Sequence, residues 1–152
     1  RSEIIDVILF ELKKFKEIDI VILLQPTSPL RTHKDIDKGI SLMIKQGRNS
    51  CVSFKSIKYS PSNFYSINSK RKLENFITNK KKTTNRQNYK KFYHASGDLY
   101  ISYVNKLKKN KSFIEKNTLP LFINSKNSSD IDDINDFKTA ELFASYKNKD
   151  FK

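Results

Sequence analysis

The sequence predicts an α/β fold in a single domain, and three observations carry that prediction. Helical and strand periodicities alternate along the chain, one strand-like run is apolar on both faces, and a polar loop fixed by two prolines follows that run directly. With 152 residues the chain can build one sizeable core but not two.

Residues 3–16 place Ile4, Ile5, Ile8, Leu12 and Phe15 on one helical face, with Lys13, Lys14 and Lys16 toward solvent. Residues 18–24 are a β-branched apolar run, as expected for a strand covered on both faces in a parallel sheet. The segment Gln25-Pro26-Thr27-Ser28-Pro29-Leu30-Arg31-Thr32 cannot continue regular structure, because each proline lacks a donor and fixes its φ. Thr32 followed by Asp35 reads as a helix N-terminus, and Ile36, Ile40, Met43 and Ile44 supply its apolar stripe to about Gln46. Residues 50–57 are the next strand. Residues 58–91 break the alternation, with short strand-like pieces at Phe64–Ile67 and Leu73–Thr78 and a lysine run, Lys80 to Lys82, that reads as a solvated loop. They are expected to form an inserted arm of hairpins rather than a second domain. Strand character returns at Gly97–Val104, followed by a short helix near Asn105–Asn110 and a strand near Leu119–Asn124. A last helix begins after Asp133, which can cap it, and Asp136 sits in its first turn, where negative charge suits the helix dipole. Ile134, Phe137, Ala140 and Ala144 mark its expected buried side.

Composition narrows the function classes. The net charge is +14, but 25 of the 30 basic residues are lysine, and Asn, Ile, Phe and Tyr are abundant as well. A codon bias explains that pattern, and arginine, the fork that reads phosphates and base edges, is scarce. The charge therefore carries no nucleic-acid function, although a basic surface suits a polyanionic substrate. No run reaches membrane-spanning length and none resembles a signal peptide. The single cysteine, Cys51, excludes an intrachain disulfide framework and fits a reducing, cytoplasmic setting. The first residue is Arg1 and an amphipathic segment begins almost at once, so the chain is expected to be a piece of something longer.

Three groups of residues point to chemistry. The Gln25–Thr32 loop lies just past the carboxyl end of a buried strand, where open α/β sheets bind ligands. Its prolines hold Gln25, Thr27, Ser28 and Arg31 in defined directions at low entropic cost, although Thr and Ser can also satisfy loop backbone and Arg31 can pair with a nearby carboxylate. Asp130-Ile131-Asp132, read as a strand, puts two carboxylates on one side with Cα atoms roughly 6.5 Å apart. Side by side and unpaired they repel, and hard oxygen donors of this kind suit Mg²⁺ bridging to phosphates. Capping of the last helix is the competing role, better filled by Asp133 and Asp136. The third group is Arg86-Gln87 followed by Ser96-Gly97-Asp98-Leu99-Tyr100-Ile101, in which Gly97 permits close backbone approach and Arg86 offers a bidentate fork for a carboxylate.

In this order and spacing the three groups resemble the acylneuraminate cytidylyltransferases, the CMP-sialic acid synthetase family. Leu23-Leu24-Gln25-Pro26-Thr27-Ser28-Pro29-Leu30-Arg31-Thr32 is similar to that family's central motif almost letter for letter, and Asp136 with Ala140-Glu141 extends the match into the last helix. The resemblance implies a Rossmann-like nucleotide-diphospho-sugar transferase fold, a three-layer α/β/α arrangement around a mostly parallel sheet. It also implies that the family's N-terminal strand and phosphate-binding loop have no counterpart here, so the fold is N-terminally incomplete. The implied reaction is transfer of CMP from CTP to the anomeric hydroxyl of a nonulosonic, sialic-acid-like sugar acid, with release of pyrophosphate, in surface glycan biosynthesis. Asp130 and Asp132 would hold Mg²⁺, with Mn²⁺ as a substitute, and Gln25, Arg86, Ser96, Tyr100 and Phe113 would line the sugar pocket, with Arg86 nearest the sugar carboxylate. Family members are typically homodimers, and residues 58–91 match the family's dimerisation arm in position. Ser96 stands where sialic acid members usually carry Asn, Asn63 where Lys is common and His94 where Arg is frequent, which leaves sialic, legionaminic and pseudaminic acids all open as the sugar. A noncatalytic remnant that keeps only the dimer-forming part is the alternative.

Overall fold

A computed structural model describes residues 3–57, 59, 63–75, 91–124 and 128–149. The elements run α1 (Ile4–Glu11), a 3-10 turn (Leu12–Lys14), β1 (Ile20–Leu23), α2 (His33–Lys45), β2 (Ser50–Ser56), β3 (Tyr65–Ile67), β4 (Leu73–Asn75), β5 (Tyr93–Tyr103), α3 (Val104–Asn110), β6 (Thr118–Leu121) and α4 (Ile134–Lys149). The chain divides into two compact units, one of residues 1–54 and 95–152, the other of residues 55–94. In the smaller unit β3 and β4 pair antiparallel, with Ser66 opposite Glu74. Its turn is held by Asn68, whose side chain accepts from the amides of Lys70 and Lys72 and donates to Glu74. Lys80 to Lys82 lie outside the described residues.

The larger unit is built on a four-stranded sheet in the order β1-β5-β2-β6. β1 pairs antiparallel with β5, Ile22 opposite Ile101, and β2 pairs parallel with β6, Cys51 opposite Leu119. The Tyr103 amide donates to the Asn49 carbonyl, as β5 ends where β2 begins, so β5 also opposes β2. Hence β1, β2 and β6 run in one direction and β5, between β1 and β2, runs against them. This corrects the expected mostly parallel sheet, since only one of the three pairings is parallel. The cause is where β5 starts: the Ile57 amide, just past β2, donates to the Phe92 carbonyl, just before β5, at 2.8 Å, and an antiparallel neighbour needs no crossover.

Strand alternation sends residues to two cores. On one face Ile20, Ile22, Cys51, Leu99, Ile101, Leu119 and Leu121 meet Ile36, Ile40 and Met43 of α2. On the other, Val21, Leu23, Val52 and Tyr100 meet Ile5, Ile8 and Leu9 of α1, then Leu12, Val104, Leu107 and Phe113. Helices thus cover both faces, the three α/β/α layers that the resemblance implies. Each fully buried Leu or Ile contributes about 1.5–3 kcal/mol relative to an exposed one. α2 sits close because of Gly39: a Cβ there would lie 2.8 Å from Ile101 Cδ1 and 3.2 Å from Leu99 Cδ2. Burial also pushes the Cys51 thiol up to about 11, away from reactivity.

The helix starts are as the sequence predicts. Thr32 caps α2 in a reciprocal box with Asp35: the Asp35 amide donates to Thr32 Oγ1 at 3.4 Å and the Thr32 amide to Asp35 Oδ2 at 2.9 Å. Asp133 Oδ1 accepts from the amides of Asn135 and Asp136 and so caps α4. The helix phases differ in part. Ile4, Phe15, Ile44, Ile134 and Phe137 are exposed, while Gly39 takes the inner place on α2 and Asp136, Ala140, Phe143 and Ala144 form the more covered line on α4. Among the described residues no helix is long and apolar enough to cross a membrane.

Candidate functional site

The site forms at the carboxyl ends of β1 and β2, where β5 begins. β1 ends at Leu23, opposite Tyr100, and the chain continues into Gln25 alongside the first part of β5. Arg31 folds that loop back on itself: its Nη1 donates to the carbonyls of Gln25 (2.8 Å), Ser28 (2.8 Å) and Asp98 (3.2 Å). Burial lowers the Arg31 pKa, and the Asp98 carboxylate opposes that shift. Arg31 therefore works as a staple between the loop and β5. The Ser28 amide closes the turn onto the Gln25 carbonyl, and the Ile131 amide donates to the Thr27 carbonyl at 2.9 Å, tying the 128–132 segment to the same loop.

Gly97 lies where these pieces meet, with φ +80°. A Cβ at that position would lie 2.9 Å from Gln25 Oε1 and 3.3 Å from Asp130 Oδ2. An amide oxygen and a carboxylate oxygen thus reach one small region, left open because residue 97 has no side chain. Only glycine suits both the backbone angle and the space. Tyr100 follows on β5, its ring tilted against Phe113 with centroids 5.7 Å apart. Burial first, then the Asp130 and Asp98 carboxylates, raise the Tyr100 phenol above its ordinary value.

The sequence-predicted residues fall into three groups. Gln25, Asp130 and Tyr100 come together. Phe113 is buried in the core and reaches the site through the Tyr100 ring, and Ser96 is buried with its hydroxyl 2.6 Å from Asp98 Oδ2. Arg86 lies outside the described residues, so its expected role near a carboxylate rests on the sequence.

Asp130-Ile131-Asp132 corrects one premise, since it is irregular chain and not a strand. The amides of Asp132 and Asp133 turn to Asp136 Oδ2 at 3.1 and 3.2 Å, and this start of α4 bends the segment out of extended geometry. Both Asp130 and Asp132 are exposed, and neither carboxylate has a hydrogen bond or ion pair from the described residues. Asp130 brings a free hard-oxygen donor to the open cradle, which fits Mg²⁺, an ion that binds through one or two carboxylates plus waters and phosphates, whereas the lost strand geometry no longer places the Asp132 carboxylate on the same side. No group of three or more metal-ligating side chains occurs among the described residues.

Two residues of the site escaped the sequence reading. Ser53, on β2, uses one hydroxyl to accept from the Leu99 amide at 2.9 Å and donate to the Leu99 carbonyl at 3.2 Å, tying β2 to β5 two residues past Gly97. Asp98 is fully buried, and its Oδ2 accepts from both Ser96 and Ser128. The available signal was a serine and an aspartate next to apolar residues within strand-like runs, Val52-Ser53-Phe54 and Asp98-Leu99.

No family model matches the chain. The chain is 33% identical, over 145 residues, to the CMP-N,N'-diacetyllegionaminic acid synthase of Legionella pneumophila, an alignment covering 86% of this chain and 58% of that protein. The chain thus spans less than two thirds of the length of the curated relative it matches. Over the length that aligns, the chain belongs to the CMP-sialic acid synthetase family.

Proposed function

We propose that this chain is the sugar-acid and metal side of a cytidylyltransferase that transfers CMP from CTP to the anomeric hydroxyl of a nonulosonic acid, releasing pyrophosphate. The observation that carries the reading is the convergence of Gln25 and Asp130 on the space opened by Gly97. Gln25 has an amide that can both donate and accept, which suits the hydroxyls of a sugar. Tyr100 keeps its proton through the neutral range, so it binds as a neutral donor and offers a flat apolar surface. Arg31 donates through Nη1 to three carbonyls and gives the loop its shape. Asp130 and Asp132 would hold Mg²⁺, which when bound supplies charge neutralisation on the triphosphate. The chain's own residues then contribute positioning: they set the anomeric hydroxyl in line with the α-phosphorus and keep the sugar from turning. By the family resemblance, Arg86 would fork to the sugar carboxylate and residues 58–91 would serve as the arm of a homodimer.

The test is pyrophosphate release by the full-length protein with CTP, Mg²⁺ and a panel of nonulosonic acids. Turnover with one sugar acid is expected, with a loss of at least about a hundredfold in Asp130→Ala and Asp132→Ala, because charge stabilisation of this kind is worth several kcal/mol. No turnover with any sugar acid rejects the proposal and leaves the noncatalytic relative as the reading.

A further inference from the structure

Asp98 lies between residues 97 and 100 of the site yet touches none of the open space. It is fully buried, and an unbalanced buried carboxylate is costly. Its surroundings balance it in a specific way. Ser96 and Ser128 both donate to Oδ2, Arg31 donates to its carbonyl oxygen and faces its charge, and Oδ1 has no hydrogen-bond partner among the described residues. Each partner leads to a different part of the cradle. Arg31 holds the Gln25 and Ser28 carbonyls, Ser128 is two residues from Asp130, and Gly97 is the adjacent residue of β5 itself. The 128–132 segment has no strand partner to fix it, so its ties to the rest of the site include the Ser128 hydroxyl and the Ile131 amide.

We infer that Asp98 is a positioning residue for sugar-acid binding: its buried carboxylate joins Arg31 and Ser128, and through them sets Gln25 and Asp130 on either side of Gly97. The charge matters as well as the shape. An asparagine at this position can still accept from Ser96 and Ser128, but it leaves the part-buried Arg31 guanidinium without the negative charge that it faces. The staple across Gln25, Ser28 and Asp98 then loosens, and the cradle loses one wall. Removal of the Ser128 hydroxyl acts differently, because it frees the Asp130 side and leaves the Arg31 side in place. This inference rests on the proposed sugar-acid site, and its test separates the two.

Hydrogen exchange and ligand titration on the same chain provide that test, with N,N'-diacetyllegionaminic acid and N-acetylneuraminic acid as probes. In Asp98→Asn the amides of Ser28 and Ile131 are expected to exchange at least about tenfold faster, while the β1–β5 ladder around Ile101 keeps its protection. Affinity for the sugar acid that binds is expected to fall about tenfold. In Ser128→Ala only the Ile131 amide should speed up. Unchanged exchange at Ser28 and Ile131 overturns the inference, as does a uniform increase that includes the Ile101 region, which marks a residue that merely supports the fold. Faster local exchange with undiminished sugar affinity also overturns it. If the unaltered chain binds neither sugar acid, the proposed function falls, and the exchange pattern alone upholds or overturns the role of Asp98 in holding the cradle together.

Discussion

Gly97→Ala separates what the cradle does for the fold from what it does for a ligand. The position has φ +80°, and an L-residue in the left-handed region costs about 1–2 kcal/mol. Alanine also restricts the unfolded chain, which returns about 0.4–1 kcal/mol. The net loss is about 1 kcal/mol, or a fall in Tm of roughly 2–4 °C for a domain of this size. The added Cβ meets Gln25 Oε1 at 2.9 Å, the far end of a flexible side chain, and Asp130 Oδ2 at 3.3 Å on an exposed carboxylate. Both yield cheaply, so the stability cost stays near the backbone figure, but both must move. Displacements on the order of 1 Å in a positioning group cost up to about a hundredfold in rate. Gly47→Ala supplies the control. Gly47 has φ +60° and would place its Cβ in open space, at the end of α2, where its amide donates to Ile44 and the Arg48 amide to Met43. The two variants should melt within a few degrees of each other. Only Gly97→Ala should lose ten- to a hundredfold in kcat/KM for pyrophosphate release, with Gly47→Ala within about twofold of the parent. Equal activity in the two variants would refute the cradle.

Two further predictions follow from local features. Thr32→Ala removes the acceptor for the Asp35 amide and should cost about 1 kcal/mol in urea unfolding, whereas Thr32→Ser should be nearly silent. The Cys51 thiol, raised to about 11 from an ordinary value of 9.0, favours the folded state while it stays protonated. That contribution is complete below pH 9 and is lost as pH rises toward 11, because the unfolded thiol ionises first. Melting curves of Cys51→Ala should therefore fall less steeply than the parent's across that window; parallel curves would count against the burial argument.

How much of this was legible in the sequence depends on whether the deciding contacts are local. β1, the proline loop, the Thr32–Asp35 box and the Asp133 cap are set by neighbours within a few residues, and the sequence reading places each within about two residues of its observed limits, the scatter expected of element ends. Helix phase is less local. Ile44 and Phe137 share a stripe with residues that do turn inward, but whether they follow depends on what lies opposite, and Gly39 rotates the inner line of α2 toward Ile101 and Leu99. The order of strands is wholly nonlocal: nothing in residues 93–103 states that they will separate β1 from β2. For the site, Gln25 and Asp130 could be nominated from their motifs. Asp98 could not, because an aspartate beside a glycine ordinarily reads as turn chemistry until the serines around it are seen.

The place of β5 has a consequence for how the molecule can assemble. β1, α2 and β2 emerge first and leave a strand-wide gap between β1 and β2, which is filled from residue 93 onward. The core face shared by Cys51, Leu99 and Ile101 cannot close until the whole 55–92 stretch has been synthesised. Assembly therefore waits on a long-range contact, which slows folding and leaves early strand edges open during that wait. The same arrangement makes the length of the connection cheap to change, since closure entropy grows only slowly with the number of residues between the joined strands. Insertions between β2 and β5 should thus alter the time this chain takes to fold far more than the stability it reaches.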